Sequence, residues 1–417
     1  MKSVETNSRR SFLAAMGMAV GARGLLAADG GVLSGQSSAS AGSGMQTPDT
    51  AYLLAPGLTY LNTASLGPAP RDVLDRTLEA WRQLESNPVR MSYAGAVLVA
   101  TDRVREAAAE FLGCETENLL ITRSTTEAMN TVALSMHLAS GDHVLTTNQE
   151  HHGGTGCWRY VEQHKGVVVD IVPIAPSDHD TRIIVDRFAA AITPATRVIS
   201  VSHVLTSTGL RMPVVELAAL ARAKGLLCVV DGAQAVGQIS VNVKALGCHA
   251  YACCGHKWLM GPKGTGLLYV SPDATDRIAP IQWQYGKRFV SPSTGIGSLP
   301  LVVGLGAAID TARTRGMASI ERRVLELRAY AVRQLRTLPK VTVISAPSGP
   351  LATALVAVVL PGAIDAEALQ ATLLGKYSIM VKLVEKQWFN GIRISPHIFN
   401  TEADIDRATQ ALRAELG

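Results

Sequence analysis

A chain of 417 residues, 47% hydrophobic and 18% charged, can bury a large core and is long enough for two domains. Its formal net charge of +5 comes without any block of like charges, and the Arg-rich stretch 313–340 is interrupted by Glu321 and Glu326 and reads as a solvated helix face, so no nucleic-acid partner is expected. The six cysteines show no CxxC or Cys/His metal spacing, which excludes a structural zinc site and leaves reduced, mostly buried thiols as the expectation.

The chain begins with Ser8-Arg9-Arg10-Ser11-Phe12-Leu13 and a modestly apolar, glycine-containing stretch to about Ala28. This resembles a twin-arginine export signal, with Ala39-Ser-Ala41 fitting a cleavage site and residues 29–47 a Gly/Ser/Ala-rich spacer. Arg23 and the glycines make the stretch a poor membrane span, so no stable span is expected. Residues 1–41 are therefore read as signal and spacer, the localisation as periplasmic, and the twin-arginine translocase as a transient partner. That route carries proteins already folded, as a cofactor loaded in the cytoplasm requires.

From about residue 100 onward, strand and helix patterns alternate. Asn118-Leu-Leu-Ile-Thr122 reads as a strand, and Ser124-Thr125-Thr126-Glu127 caps a helix to about His137. Further strands are expected at 143–147, 167–174, 197–201, 226–230 and 266–270, with helices at 155–164, 186–192 and 213–223. This spacing predicts an α/β fold with a mostly parallel sheet covered on both faces, here bounded as residues 66–298. After Pro300 the pattern changes. Residues 301–338 are helical with a break at Gly316, strands are expected at 341–344, 355–360 and 392–395, and a helix closes the chain at 402–415. Residues 42–65 with 299–417 are read as a smaller α+β domain.

One constellation carries chemistry. Asp231 ends the apolar run Leu226-Leu-Cys-Val-Val230, a buried parallel strand whose C-terminal end points into the crevice where open α/β sheets bind ligands. Lys257, in the turn-rich segment Cys254-Gly-His256-Lys257, can face that carboxylate across a flat heteroaromatic ring. Pyridoxal 5'-phosphate (PLP) asks for that pairing: an amine for the Schiff base and an acid to keep the pyridine nitrogen protonated. Ser124-Thr125-Thr126 offers backbone N–H groups and hydroxyls to a phosphate, although the same residues also make an ordinary helix cap. Glu150-His151-His152 places an aromatic plane beyond a strand end, or is simply a polar loop. Gln234 can reach a ring hydroxyl. Arg393 can pair bidentately with a carboxylate, against the plainer reading of a surface salt bridge.

Taken in order, the chain resembles the class V, fold-type I PLP enzymes, the superfamily of cysteine desulfurases and isopenicillin-N-epimerase-like proteins. The motifs are Tyr60-Leu-Asn62-Thr-Ala, Asn87-Pro88-Val89, Ser124-Thr-Thr-Glu-Ala, Glu150-His151-His152 and Ser202-His203-Val-Leu-Thr-Ser-Thr-Gly209. Asp231-Gly-Ala-Gln234, Gly255-His256-Lys257, Gly261-Pro-Lys-Gly-Thr-Gly266 and Arg393-Ile-Ser-Pro-His-Ile-Phe-Asn400 complete them. The resemblance implies Lys257 as the Schiff-base lysine, Asp231 as the pyridinium partner and His151 stacked on the ring with a catalytic part. It implies Gln234 beside the ring hydroxyl, Thr125, Thr126 and His256 around the phosphate, and Asn62 and Arg393 on the substrate, Arg393 at its carboxylate. It also implies a fold-type I, seven-stranded-type sheet in the large domain and a homodimer with the site near the subunit interface. Thr206 aligns with a desulfurase asparagine near the ring hydroxyl, Cys254 stands where the family has serine, and Thr294 falls in a blurred form of the Gly-Thr that the neighbouring subunit donates.

The nucleophilic cysteine that desulfurases carry on a mobile loop is missing: residues 377–390 contain none, and no cysteine follows Cys254. The expected function is therefore PLP chemistry at Cα of an amino acid, or of an amino-acid residue in a small peptide, through a Lys257 Schiff base and carbanion or quinonoid chemistry. Epimerisation, lysis, transamination and oxidative tailoring all start there, and periplasmic siderophore-tailoring PLP enzymes resemble the combination of signal and missing cysteine. The alternatives are a desulfurase-like C–S lyase without the loop cysteine, or a catalytically idle PLP-fold binding protein. A nucleotide-binding dehydrogenase fails, because Gly304-Leu-Gly-Ala-Ala-Ile309 lacks the third glycine of the fingerprint and opens no βαβ unit.

Overall fold

The computed structural model describes residues 51–89, 96–278 and 297–417; the expected signal and spacer, residues 1–41, and Thr294 lie outside them. The strands are β1 (Thr59–Tyr60), β2 (Leu119–Thr122), β3 (His143–Thr147), β4 (Val168–Val172), β5 (Thr196–Ser202), β6 (Leu227–Asp231), β7 (Ala250–Cys254), β8 (Gly266–Val270), β9 (Thr342–Val343), β10 (Val356–Val359), β11 (Ile379–Met380), β12 (Lys382–Leu383) and β13 (Gly391–Ile394). Seven of them form one sheet in the order β2-β8-β7-β6-β5-β3-β4. It is parallel except at β8, which runs antiparallel to both β2 and β7. A parallel return needs a crossover long enough to hold a helix. Residues 255–265, which join β7 to β8, form none and make a loop at the sheet's edge instead. Lys257 sits on that loop.

Burial explains why the central strands read as unbroken apolar runs. Every residue of β6 is buried, and alternate side chains enter different cores: Cys228 and Val230 join one cluster, Leu227 and Val229 the other. Each fully buried Val or Leu contributes about 1.5–3 kcal/mol. Chain order reverses beside β3: the chain goes from β3 outward to β4, then back past β3 to β5, β6 and β7. The crevice beyond the carboxyl ends of β3 and β5 is thus the topological switch point, where doubly wound sheets take their ligands.

A second, antiparallel sheet has the order β12-β13-β10-β9 and shares a core with helices Met317–Leu335, Ala366–Tyr377 and Glu402–Leu416. Thr59 and Tyr60 pair in parallel with Ile379 and Met380, which ties residues 59–60 to this layer. The expected helix break at Gly316 is present, with φ 77° between helices Leu299–Arg315 and Met317–Leu335.

The sequence reading departs from the structure in several elements. Helices Arg71–Ser86, Ala96–Leu112 and Ala366–Tyr377 were not anticipated, and neither was β7. Ala250-Tyr-Ala-Cys-Cys254 carries no β-branched residue, so its strand character comes from complete burial between β6 and β8 rather than from propensity. The helix expected at 155–164 starts at His152, because the His151 ring caps it by accepting from Gly153 N. The helix expected at 186–192 is Thr181–Ala191, capped by Asp180 through Arg182 N and Ile183 N. The six cysteines are unpaired, all buried except the half-buried Cys114. Among the described residues no helix is long and apolar enough to cross a membrane, and no group of side chains could hold a metal ion.

Candidate functional site

One cleft at the switch point is lined by Ser124, Thr125, Thr126, His151, Ser202, Thr206, Asp231, Gln234, Cys254, His256 and Lys257, among others. At one end stands the N-terminus of helix Thr125–Ser135. Ser124 caps it by accepting from Glu127 N at 3.1 Å, which leaves the earlier N–H groups of that turn for an anion. His256 Nδ1 is buried without a hydrogen-bond partner. Thr125 Oγ1 has only the Cys254 thiol beside it, a weak partner at best. Burial pushes that thiol up, so it stays protonated. Unspent hydrogen-bonding groups at a helix N-terminus fit a phosphate.

Asp231 lies at the centre, 6% exposed. Its Oδ1 accepts from Ala233 N at 2.9 Å, while Oδ2 faces Gly154 and the cleft. Burial raises its pKa, opposed by the Ala233 N–H and by the charge of Lys257. Such a carboxylate gains from any cation placed against Oδ2, and a protonated ring nitrogen is one. The space for a flat ring comes from glycine: a Cβ at Gly154 would stand 2.5 Å from Asp231 Oδ2, and one at Gly153 would stand 2.6 Å from Thr126 Oγ1.

His151 borders the same space. Its Nδ1 accepts from Gly153 N at 2.9 Å, so the ring proton resides on Nε2. Burial against the surrounding protein, together with the charges of Lys257, His152, Arg393 and Lys382, lowers its pKa to about 4. A neutral imidazole can lie over a cationic ring without repulsion.

Arg393 comes from β13 in the other sheet and is not on the surface: it is 3% exposed, and burial lowers its pKa to about 10. Nη1 donates to Thr206 O at 2.5 Å and Thr206 Oγ1 at 2.7 Å, and Nη2 reaches Ser65 Oγ at 3.5 Å. Nε is buried without a partner. The Nε–Nη2 edge thus holds an unspent donor, although Arg393 itself does not line the cleft. Asn62 does not line the cleft; its Oδ1 accepts from Ser65 Oγ at 2.8 Å and so supports the Arg393 surroundings indirectly. The Gln234 amide is spent on Ala64 O, Thr206 Oγ1 and the Trp258 indole. Residues 385–388, part of the stretch without cysteine, meet the β3 side of the cleft: Glu385 pairs with His152 at 3.2 Å, and Trp388 donates to Asn148 O at 3.0 Å.

The sequence reading named Glu150 without giving it a task. It is a buried carboxylate accepting from Thr147 Oγ1 at 2.8 Å, Ser202 N at 2.9 Å and Ser202 Oγ at 2.5 Å, which pins the β3 loop that carries His151 to the end of β5. Burial, despite those bonds and with Asp231 nearby, raises its pKa to about 7. A raised carboxyl pKa favours the folded state below the ordinary carboxyl range and loses that advantage as pH climbs through about 7. Glu150→Gln, which keeps the shape and one acceptor, is expected to flatten the pH dependence. Between pH 5 and pH 8 the apo wild type should lose roughly 2 kcal/mol that the variant keeps, read by urea unfolding. Equal slopes in the two proteins would refute the assignment. Ser65, Gly154 and Trp258 were also missed; only the Gly153-Gly154 pair directly after His152 carried a local signal.

The chain has relatives among known proteins. The sequence pattern of the aminotransferase class-V family matches residues 59–408. The chain is 33% identical over 387 residues to the isopenicillin N epimerase of Amycolatopsis lactamdurans, covering 86% of this chain and 96% of that one. It is 31% identical over 307 residues to a cysteine desulfurase of Yersinia pestis bv. Antiqua (strain Angola), covering 68% and 74%. The apo structure of the cysteine desulfurase from Thermococcus onnurineus NA1 has the same fold, with a TM-score of 0.79 at 23% identity over 89% of this chain and 98% of that one.

Proposed function

This chain belongs to the aminotransferase class-V family of PLP enzymes, and on that footing we propose that it moves a proton at Cα of an amino acid, or of an amino-acid residue within a small peptide, with PLP joined to Lys257. The observation that carries the reading is the meeting of Lys257, Asp231 and His151 around one cleft whose phosphate-like end holds unspent donors. When bound, PLP supplies an electron sink conjugated to Cα. Thr125, Thr126, His256 and the helix N-terminus would hold its phosphate. Asp231 Oδ2 would accept from the ring nitrogen and keep it protonated, and the His151 ring, with its own proton on Nε2, would cover one face.

Arg393 takes the substrate carboxylate on its Nε–Nη2 edge and so fixes which bond of Cα faces Lys257. The Lys257 amine, which lines the cleft, would take the proton from Cα and return it. Two facts favour epimerase-like over desulfurase-like chemistry. No cysteine follows Cys254, and the match to isopenicillin N epimerase spans nearly that enzyme's full length. We extend the proposal to a periplasmic homodimer loaded with cofactor before export, supported by Arg9-Arg10 and by the family resemblance.

The test is direct. Purified protein incubated with PLP should turn yellow, and borohydride should fix the cofactor on the peptide containing Lys257. In D2O, a panel of amino acids and short peptides should then include one that exchanges its Cα hydrogen for deuterium. A colourless protein, or label on another lysine, would sink the reading.

A further inference from the structure

Strand β12 sets a second cation beside Arg393. In the antiparallel pair of β12 and β13, Lys382 stands directly across from Arg393, and Leu383 across from Ile392. Residues opposed in this way share one face of the sheet, with Cβ atoms about 4.5–5.5 Å apart. Burial tells the two faces apart. Ile392 and Ile394 enter the core shared with the helices, and Leu383 packs against it. Successive side chains alternate, so Arg393 and Lys382 lie on the opposite face, from which Arg393 reaches Thr206 at the cleft.

Like charges directly opposite each other weaken a strand pair unless an anion stands between them. No such anion comes from the described residues. Arg393 makes no ion pair there, and its Nε is buried without a partner. Lys382 is half-buried and has no hydrogen bond or ion pair to any described residue. The carboxylate of the following segment, Glu385, is felt by Arg393 but is held by His152 at 3.2 Å and by Gln387 Nε2 at 3.0 Å. Both cations also act on the His151 ring, whose pKa is lowered first by burial and then by the charges of Lys257, His152, Arg393 and Lys382. The pair thus faces the side of the sheet where the His151 ring stands.

We propose that Lys382 is a specificity-determining residue that takes a second carboxylate of the substrate, so that the enzyme acts on an acidic amino acid, or an acidic residue of a small peptide, held between Arg393 and Lys382. The inference rests on the reading of this cleft as a PLP site and narrows its substrate class. One carboxylate meets the unspent Nε edge of Arg393, and the other meets the Lys382 ammonium. A substrate with a single carboxylate leaves one of the two opposed cations uncompensated. The ammonium is a point charge on a flexible stem, so it tolerates acidic side chains of more than one length.

The test is calorimetric titration of the yellow holo-protein with acids that lack an amine: succinate and glutarate against propionate and butyrate. Wild type should bind the diacids about tenfold or more tighter than the monoacids. Lys382→Met keeps an apolar stem and removes the charge. It should bind the monoacids like wild type and lose the preference for diacids, while Lys382→Arg keeps it. Without any acid present, Lys382→Met should melt no lower than wild type, because a repulsion has been removed; a merely structural lysine would lower Tm. If Lys382→Met does not fold, Lys382→Gln is read in the same way. Equal wild-type affinity for diacids and monoacids, or a preference undiminished in the neutral variant, overturns the proposal and leaves PLP on Lys257 intact. A protein that does not turn yellow with PLP overturns both.

Discussion

Lys257→Ala should abolish turnover, lowering kcat by more than about 10⁴-fold, while the folded protein still takes up PLP without a covalent bond. The expectation comes from where the lysine sits. Its loop spans two antiparallel strands, and the loop's backbone is held independently of the amine: Gly67 N donates to His256 O at 2.8 Å, and Met260 N donates to Lys257 O at 3.1 Å. A Cβ at Gly67 would run into the Lys257 carbonyl, so the two segments are in direct backbone contact there. Removing a half-buried side chain from so pinned a backbone should change stability by no more than about 0.5 kcal/mol. The noncovalent cofactor keeps its phosphate and ring-nitrogen contacts. Dialysis against PLP, borohydride treatment and a kcat measurement check all three points, and activity near wild type would remove Lys257 from the chemistry.

Asp231→Ala should keep PLP bound but slow turnover by roughly 10²–10³-fold, the cost of losing one charge aimed at the reacting system. Without the carboxylate, nothing holds the proton on the ring nitrogen, and the ring withdraws electrons poorly. The apo protein should respond in the other direction to the isosteric change. Burial raises the Asp231 pKa, so its contribution to stability is present below the ordinary carboxyl range and is lost as pH rises. At pH 8 the ionised group is a liability in the empty protein, and apo Asp231→Asn should melt no lower than apo wild type. A wild-type kcat in the alanine variant, or a clearly lower Tm for the apo asparagine variant at pH 8, would contradict the assignment. A residue that weakens the empty fold and speeds the reaction is being kept for its chemistry.

The sequence showed these two residues for a physical reason. Asp231 terminates an apolar run long enough to be a buried strand, and Lys257 lies in a run rich in glycine and turns, so local pattern alone placed both at a sheet's carboxyl edge. The same reasoning failed at β7, where alanine, tyrosine and cysteine carry no strand signal and only the neighbouring strands impose one. It could not see what Gln234 bonds to, because Ala64 and Thr206 are remote in sequence and Trp258 belongs to another loop. Arg393 was visible as a possible carboxylate fork, but which edge of the guanidinium is free depends on Thr206 and Ser65, from other parts of the fold. The expected export signal and Thr294 lie outside the described residues.

His151 holds two posts at once, and this narrows what the position can accept. Its nitrogen ends a helix, a service worth about 1 kcal/mol, while its plane borders the cleft. Tryptophan or phenylalanine would offer a broader surface yet leave the Gly153 amide unsatisfied; asparagine would satisfy that amide and offer no surface. Imidazole is the side chain that meets both demands with one ring, so substitution by a larger aromatic would exact a structural penalty before any catalytic gain was realised.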